Sequence, residues 1–200
     1  MSELTNLYQE IRTCTRCPLH RSRTNAVPGE GPENAEIVFI GEAPGFHEDR
    51  QGRPFVGAAG RFLDELLGMI GLSREEVYIC NVLKCRPPQN REPQPDEIEA
   101  CRPYLDRQIQ LIRPKIVVTL GRFSMARWFP NSRISRIHGR PRKLGGRLYY
   151  PMYHPAAALH QPRLRRMVEE DMRRIPDLIA QMDQIRDEGP PQRTQQLSLF

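Results

Sequence analysis

The sequence predicts an α/β fold in which a central four-stranded parallel sheet carries helices on both faces. Three observations support this. Short apolar runs alternate with segments of helical period along most of the chain. Each run ends in a residue suited to a turn or to chemistry, namely Gly41, Asn81, Gly121 and His154. The length of 200 residues suits one domain with a substantial core, and the mean hydropathy of −0.60 comes with no run long enough to span a membrane.

The elements follow in order. Leu4, Leu7, Tyr8 and Ile11 lie on one face of a helix over 2–13. The first strand is 36–40. A helix over 57–70 places Phe62, Leu63, Leu66, Leu67 and Ile70 at helical spacing and stops at Gly71. The second strand, 77–81, runs into a proline-rich loop, 86–95. Pro95, Asp96 and Glu97 then open a helix that carries Ile98, Leu105, Ile109 and Ile112. A third strand, 116–120, precedes a short helix over 122–129, and a fourth strand covers 148–153. A long helix is expected from Pro162 to about 186.

Charge and cysteines narrow the function. A net charge of +6 and a pI near 9.3 favour a polyanionic partner. Almost all the basicity is arginine, which suits phosphate clamps; the lysines are Lys84, Lys115 and Lys143. The N-terminal stretch lacks the layout of a signal peptide, so a cytoplasmic location is expected. Five cysteines, an odd number, argue against a disulfide framework. Cys14 and Cys17 form a C-x2-C pair, and Cys85 and Cys101 each precede Arg-Pro. Four thiolates in this layout could hold zinc or an iron–sulfur cluster, or be unrelated. Cys80, inside an apolar strand, reads as a small buried hydrophobe.

The loop Gly41-Glu42-Ala43-Pro44-Gly45 follows the first strand with two glycines and a proline, a stiff turn whose backbone a ligand can approach closely. Residues 131–147 form a loop with Arg133, Arg136, Arg140, Arg142, Lys143 and Arg147 and no acid. The end of the chain, 189–200, is polar and proline-broken, too poor in apolar residues to build a core. It finishes in Leu197, Leu199 and Phe200, like a peptide that docks into a groove.

Taken in order, GEAPG with Glu48 downstream, GRPFVG, YICNVLKCRPP and YHPAA resemble family 4 of the uracil-DNA glycosylases, from Cys14 to about residue 174. The resemblance implies a three-layer α/β/α sandwich over residues 1–188 that excises uracil from single- or double-stranded DNA in base excision repair. It also implies a 4Fe-4S cluster on Cys14, Cys17, Cys85 and Cys101, structural in role, tying the N-terminal helix to the 86–100 loop. The competing reading is a non-catalytic iron–sulfur protein that binds DNA and senses redox state or damage.

Residue types give the roles. Cleaving the glycosidic bond places negative charge on uracil O2 and positive charge on the sugar, so catalysis must stabilise both and deliver water to C1′. His154 would donate to O2. The amide of Asn81 offers the donor and acceptor that match uracil O4 and N3–H and mismatch cytosine. Phe55 supplies an aromatic face, and the backbone of Gly41, Ala43, Pro44 and Gly45 completes the pocket. The best-studied members of the superfamily carry a water-positioning aspartate where this chain has Ala43, and a tyrosine against thymine's methyl where it has Gly45. Glu42 is therefore assigned the water, and Glu48 methyl exclusion or water contact. Arg136, Arg140 and Arg142 would track phosphates, and Leu159 would fill the vacated base stack. Some relatives trap DNA covalently through a histidine in the loop before the last cysteine. The corresponding 86–100 has none, so ordinary turnover is expected. Gln196, Leu197, Leu199 and Phe200 resemble the bacterial sliding-clamp motif, which suggests a monomeric, nucleoid-associated bacterial enzyme coupled to replication.

Overall fold

The computed structural model describes residues 2–190. Its elements are α1 (Glu3–Arg12), β1 (Ile37–Gly41), α2 (Phe46–Gln51), α3 (Ala58–Met69), β2 (Tyr78–Asn81), α4 (Pro95–Ile112), β3 (Ile116–Leu120), α5 (Arg122–Ala126), α6 (Ile134–Ile137), β4 (Arg142–Leu144), β5 (Arg147–Met152), α7 (Pro155–Ala158), α8 (Pro162–Arg173) and α9 (Ile175–Ala180). Four of the strands lie within a residue or two of the expected positions, because strands buried on both faces leave uninterrupted apolar runs.

The sheet corrects the expectation of four parallel strands. It has five, in the order β2-β1-β3-β5-β4, with the first four parallel and β4 antiparallel to β5 at the edge. A β4–β5 hairpin closes through Gly145 and Gly146, both at positive φ (57° and 80°), the conformation a two-residue turn between twisted strands requires. The run of cations hid this strand. Its hydrogen bonds continue beyond it, since the Glu188 N–H donates to the Lys143 carbonyl (2.9 Å) and the Gly145 N–H to that of Gly189 (2.8 Å).

Alternate residues of each strand face opposite layers. Val38, Ile40, Tyr78 and Val117 pack with Leu4, Leu7 and Ile11 of α1 and Tyr104, Leu105 and Ile109 of α4. Ile37, Phe39, Ile79 and Val118 pack with Phe62, Leu63 and Leu66 of α3, Val168 and Met172 of α8, and Ile175 of α9. The result is the expected three-layer sandwich with a mixed, mostly parallel sheet.

The expected helix over 162–186 is broken. Pro176 has no N–H to donate and its ring would crowd the carbonyl of Met172, so α8 stops at Arg173 and α9 starts anew. The short α2 escaped the periodicity reading. Its signals were a Glu three residues after Gly45, and Gly52, whose φ of 69° ends it. No helix among the described residues is long and apolar enough to cross a membrane.

β1 and β3 are neighbours, and the chain leaves the carboxyl end of β1 toward β2 on one side and that of β3 toward β5 on the other, so the two connections diverge. An open α/β sheet binds ligands at such a point.

Candidate active site

A cavity of about 210 Å³ opens at that switch point, lined by the 42–45 loop, Glu48, Phe55, Ala59, Asn81, Pro87, Asn90, Arg91, His154 and Ala156. Three strand ends thus meet in one cleft: Gly41 at the end of β1, Asn81 at the end of β2, and His154 two residues beyond β5. Gly41 is glycine for a steric reason, since a Cβ there would come within 2.5 Å of the Phe55 ring and collide with Asn81 Oδ1.

Phe55 sits at φ 52°, a left-handed conformation costly for an aromatic residue. Its surroundings hold it there. Arg74 donates to the carbonyls of Phe55 (2.9 Å) and Pro54 (2.6 Å), and a Cβ on Gly60 would run into the Phe55 carbonyl. The ring is thereby delivered against His154, with centroids 5.5 Å apart and an interplanar angle of 23°.

The Ala156 N–H donates to His154 Nδ1 (3.1 Å), which leaves the proton of the neutral ring on Nε2. Desolvation by the pocket walls lowers the His154 pKa from 6.5 to about 4, against a smaller opposing pull from Glu48. The ring is therefore a neutral Nε2–H donor at physiological pH.

Asn81 is 2% exposed and its side-chain amide has no hydrogen-bond partner among the described residues, although its polar atoms are not sealed off. Such a group pointing into a cavity awaits a polar ligand. Its backbone is fixed from behind. Lys84, 1% exposed, donates from Nζ to the Asn81 carbonyl and to Gln108 Oε1, each at 2.7 Å. Gln108 Nε2 in turn donates to the Pro28 carbonyl and the Tyr78 hydroxyl, also at 2.7 Å.

The two carboxylates differ in employment. Glu48 Oε1 accepts from the N–H groups of Val56 and Gly57 (2.9 Å each), and Oε2 accepts from Gly45 N–H (3.1 Å). It staples the 41–45 loop to the Phe55 turn. The Glu42 carboxylate has no hydrogen-bond partner among the described residues, and its pKa is raised, chiefly by burial and then by the charge of Glu92, against the lowering effect of Arg122. Glu92 and Arg122 pair with each other.

The expected DNA contacts fall into two groups. Arg136 and Arg140 are exposed and carry no carboxylate partner among the described residues, whereas Arg142 is engaged by Glu188 (Nε to Oε1, 2.9 Å). Arg147 donates to the Pro114 carbonyl and Lys143 to that of Met182. Leu159 ends α7 half-buried against the core. His138 donates to or accepts from Asp171 through Nδ1 (2.8 Å), which pins the basic segment to α8. Gln196, Leu197, Leu199 and Phe200 lie outside the described residues. The sequence reading missed Asn90 and Arg91 as pocket residues. Their one signal was a loop leaving the Asn81 strand end, and that loop had been assigned to the cysteines.

The expected 4Fe-4S cluster is overturned. Among the described residues, no group of three or more His, Cys, Asp or Glu side chains is arranged to hold a metal ion. Cys14, Cys17, Cys85 and Cys101 do line one small pocket, together with Arg16, Arg23, Lys84 and Tyr104. The surroundings of Cys17, Cys85 and Cys101 favour thiols rather than the thiolates a metal needs. Burial pushes Cys101 up to about 12 and raises Cys17 and Cys85, the last against the lowering effect of Arg23, whose Nη1 donates to Cys85 Sγ (3.1 Å). The join between N-terminal and central helices is made instead by packing of α1 on α4 and by Arg107 with Glu10 (3.0 Å).

Residues 28–178 match the model of the uracil DNA glycosylase superfamily. A type-4 uracil-DNA glycosylase of Sulfurisphaera tokodaii is 50% identical over 188 residues, covering 89% of this chain and 86% of the relative. One from Archaeoglobus fulgidus is 50% identical over 188 residues, covering 89% and 94%. Another, from Thermotoga maritima, is 45% identical over 183 residues, covering 88% and 95%. The relatives are mostly archaeal, which gives the expected bacterial source no support.

Proposed function

Since this chain belongs to family 4 of the uracil-DNA glycosylases, we propose that the cavity at the switch point is its uracil pocket, with His154, Asn81, Phe55 and Glu42 as its working residues. The protein is a DNA-repair enzyme that binds DNA and hydrolyses the N-glycosidic bond of deoxyuridine, releasing uracil and leaving an abasic site. The non-catalytic alternative needed an iron–sulfur cluster, and it falls with the cluster.

The observation that carries the assignment is the unpartnered amide of Asn81 in the same cavity as a neutral Nε2–H of His154. Asn81 would accept from uracil N3–H and donate to O4, and cytosine presents the opposite pattern. Phe55 would support the base against its face. As C1′–N1 breaks, its electron pair passes to the base and is held by the His154 hydrogen bond at O2. Glu42 would orient the water and take its proton as the oxygen adds to C1′, its charge also steadying the cationic sugar. Glu48, already committed to three N–H donors, acts by holding the loop. Arg136 and Arg140 would meet phosphates, and Leu159 is the apolar residue available to the vacated stack; Arg142 would first have to leave Glu188.

The test is release of free uracil from uracil-containing DNA with the strand left unbroken, measured against pH. Ionised Glu42 is the active form, so activity should fall as pH drops through its raised pKa, an acid limb lying above 4.5, the ordinary value. Glu92→Gln removes the like charge and frees the Arg122 charge, and both lower the Glu42 pKa. The limb should therefore move to lower pH. A limb unmoved by Glu92→Gln and kept in Glu42→Gln would remove Glu42 from the mechanism.

We assign residues 1–188 to the glycosylase unit and 189–200 to partner docking, with Gln196, Leu197, Leu199 and Phe200 as a clamp-binding peptide. Deleting 196–200 should abolish binding to a bacterial-type sliding clamp by surface plasmon resonance and leave excision from short oligonucleotides intact. Retained clamp binding would refute the assignment.

A further inference from the structure

Phe46 stands 46% exposed at the start of α2; Met69 is the other large hydrophobic residue that is exposed among the described residues. A lone exposed aromatic is ordinary. The company of this one is not. The Arg86 guanidinium lies 5.2 Å from the ring centroid and that of Arg50 lies 5.6 Å away, while the His47 ring meets it edge-on at 5.4 Å. Neither arginine has a carboxylate partner among the described residues, where most of the chain's ion pairs engage arginine. The nearby acids are spent: Glu48 on its three N–H groups, and Asp49, 3% exposed, on the Thr24 N–H (2.9 Å).

The cluster is joined to the pocket rim on both sides. Phe46 follows Gly45 and Arg86 precedes Pro87, and both neighbours line the cavity. Arg86 Nε also donates to the side chain of Asn90 (2.7 Å), another lining residue, so the guanidinium is held at the mouth.

We propose that Phe46, Arg50 and Arg86 form a stacking platform for an unpaired nucleobase adjoining the flipped deoxyuridine, with the two guanidiniums taking the phosphate between them. An aromatic ring and guanidinium planes both stack on bases, and neither reads sequence. A base inside a duplex is already stacked on its neighbours, so the platform serves single-stranded or frayed DNA. This inference rests on the glycosylase reading and adds the strand form that the enzyme favours.

The test uses the full chain, with single-stranded and duplex oligonucleotides that carry one deoxyuridine and 2-aminopurine on its 5′ or 3′ side. Phe46→Ala should raise KM on the single strand by roughly five- to a hundredfold with kcat unchanged. It should do much less on the duplex, and Phe46→Tyr should restore the wild-type KM. In the wild type, 2-aminopurine on one side should be quenched on binding, and that quenching should be lost in Phe46→Ala. Equal KM values for Phe46→Ala and wild type on the single strand, equal losses on both substrates, or a Phe46→Leu variant as good as wild type would overturn the platform. A wild-type protein that released no uracil would instead overturn the glycosylase assignment, and binding and quenching would still decide the platform.

Discussion

Replacing His154 by alanine should slow single-turnover uracil excision by about 10²–10³-fold, the cost of removing one donor to a developing oxyanion in a water-poor site, while binding to uracil-containing DNA changes little. The expectation rests on the neutral tautomer fixed by the Ala156 N–H. Because burial holds the ring's pKa near 4, it remains neutral through the pH range in which the enzyme works, and the acid limb of activity belongs to Glu42. Stability gives an independent check. With a folded pKa of about 4 against 6.5 unfolded, only the unfolded chain takes up a proton between those values. Stability from this group is thus complete above pH 6.5 and is lost as pH falls toward 4. The alanine variant should unfold in urea with a shallower pH dependence over that window. A variant that excised uracil at the wild-type rate would remove His154 from the chemistry.

The second large effect is expected at Lys84, which touches no substrate. Lys84→Met leaves the carbonyl of Asn81 and Oε1 of Gln108 without their donor inside the core. At about 1–3 kcal/mol for each buried unsatisfied group, the loss should be about 2–6 kcal/mol in denaturant unfolding. Asn81 also loses the anchor behind its strand end. Well below the variant's unfolding midpoint, where it remains folded, kcat/KM for uracil should still fall about tenfold, which corresponds to 1.4 kcal/mol of misplaced recognition. Gln108→Glu keeps an acceptor for Lys84 and should preserve more of the recognition than Lys84→Met. Wild-type kcat/KM in a destabilised Lys84→Met protein would show that the lysine serves the fold alone.

The residues that sequence alone identified share one property: their signal is local. Phe39, Ile79 and Val118 sit in uninterrupted apolar runs, so β1, β2 and β3 were legible from period and length. Asn81 and His154 were legible because each closes such a run, and a parallel sheet collects the carboxyl ends of its strands at one edge. What was misread or missed depends on distances through space. The fold brings four cysteines to one pocket wall, but the linear C-x2-C spacing said nothing about the burial that keeps Cys17, Cys85 and Cys101 as thiols. β4 pairs only because β5 offers an open edge, and its own residues, Arg142 to Leu144, have no strand signature. On the sequence, Glu42 takes the water and Glu48 methyl exclusion or water contact. The fold separates them, giving Glu48 three backbone donors and leaving the half-buried Glu42 carboxylate without one among the described residues.

The sequence by itself determined the four parallel strands with α1, α3 and α4, the strand ends that carry Gly41, Asn81 and His154, and the family, since these follow from periodicity and linear motifs. Only the tertiary structure decided which carboxylate is free, which tautomer His154 holds, that Lys84 stands behind Asn81, and that the cysteines are not a metal site. Protonation, hydrogen-bond satisfaction and ligation are set by the nearest few ångströms of space, and residues far apart in the chain fill them.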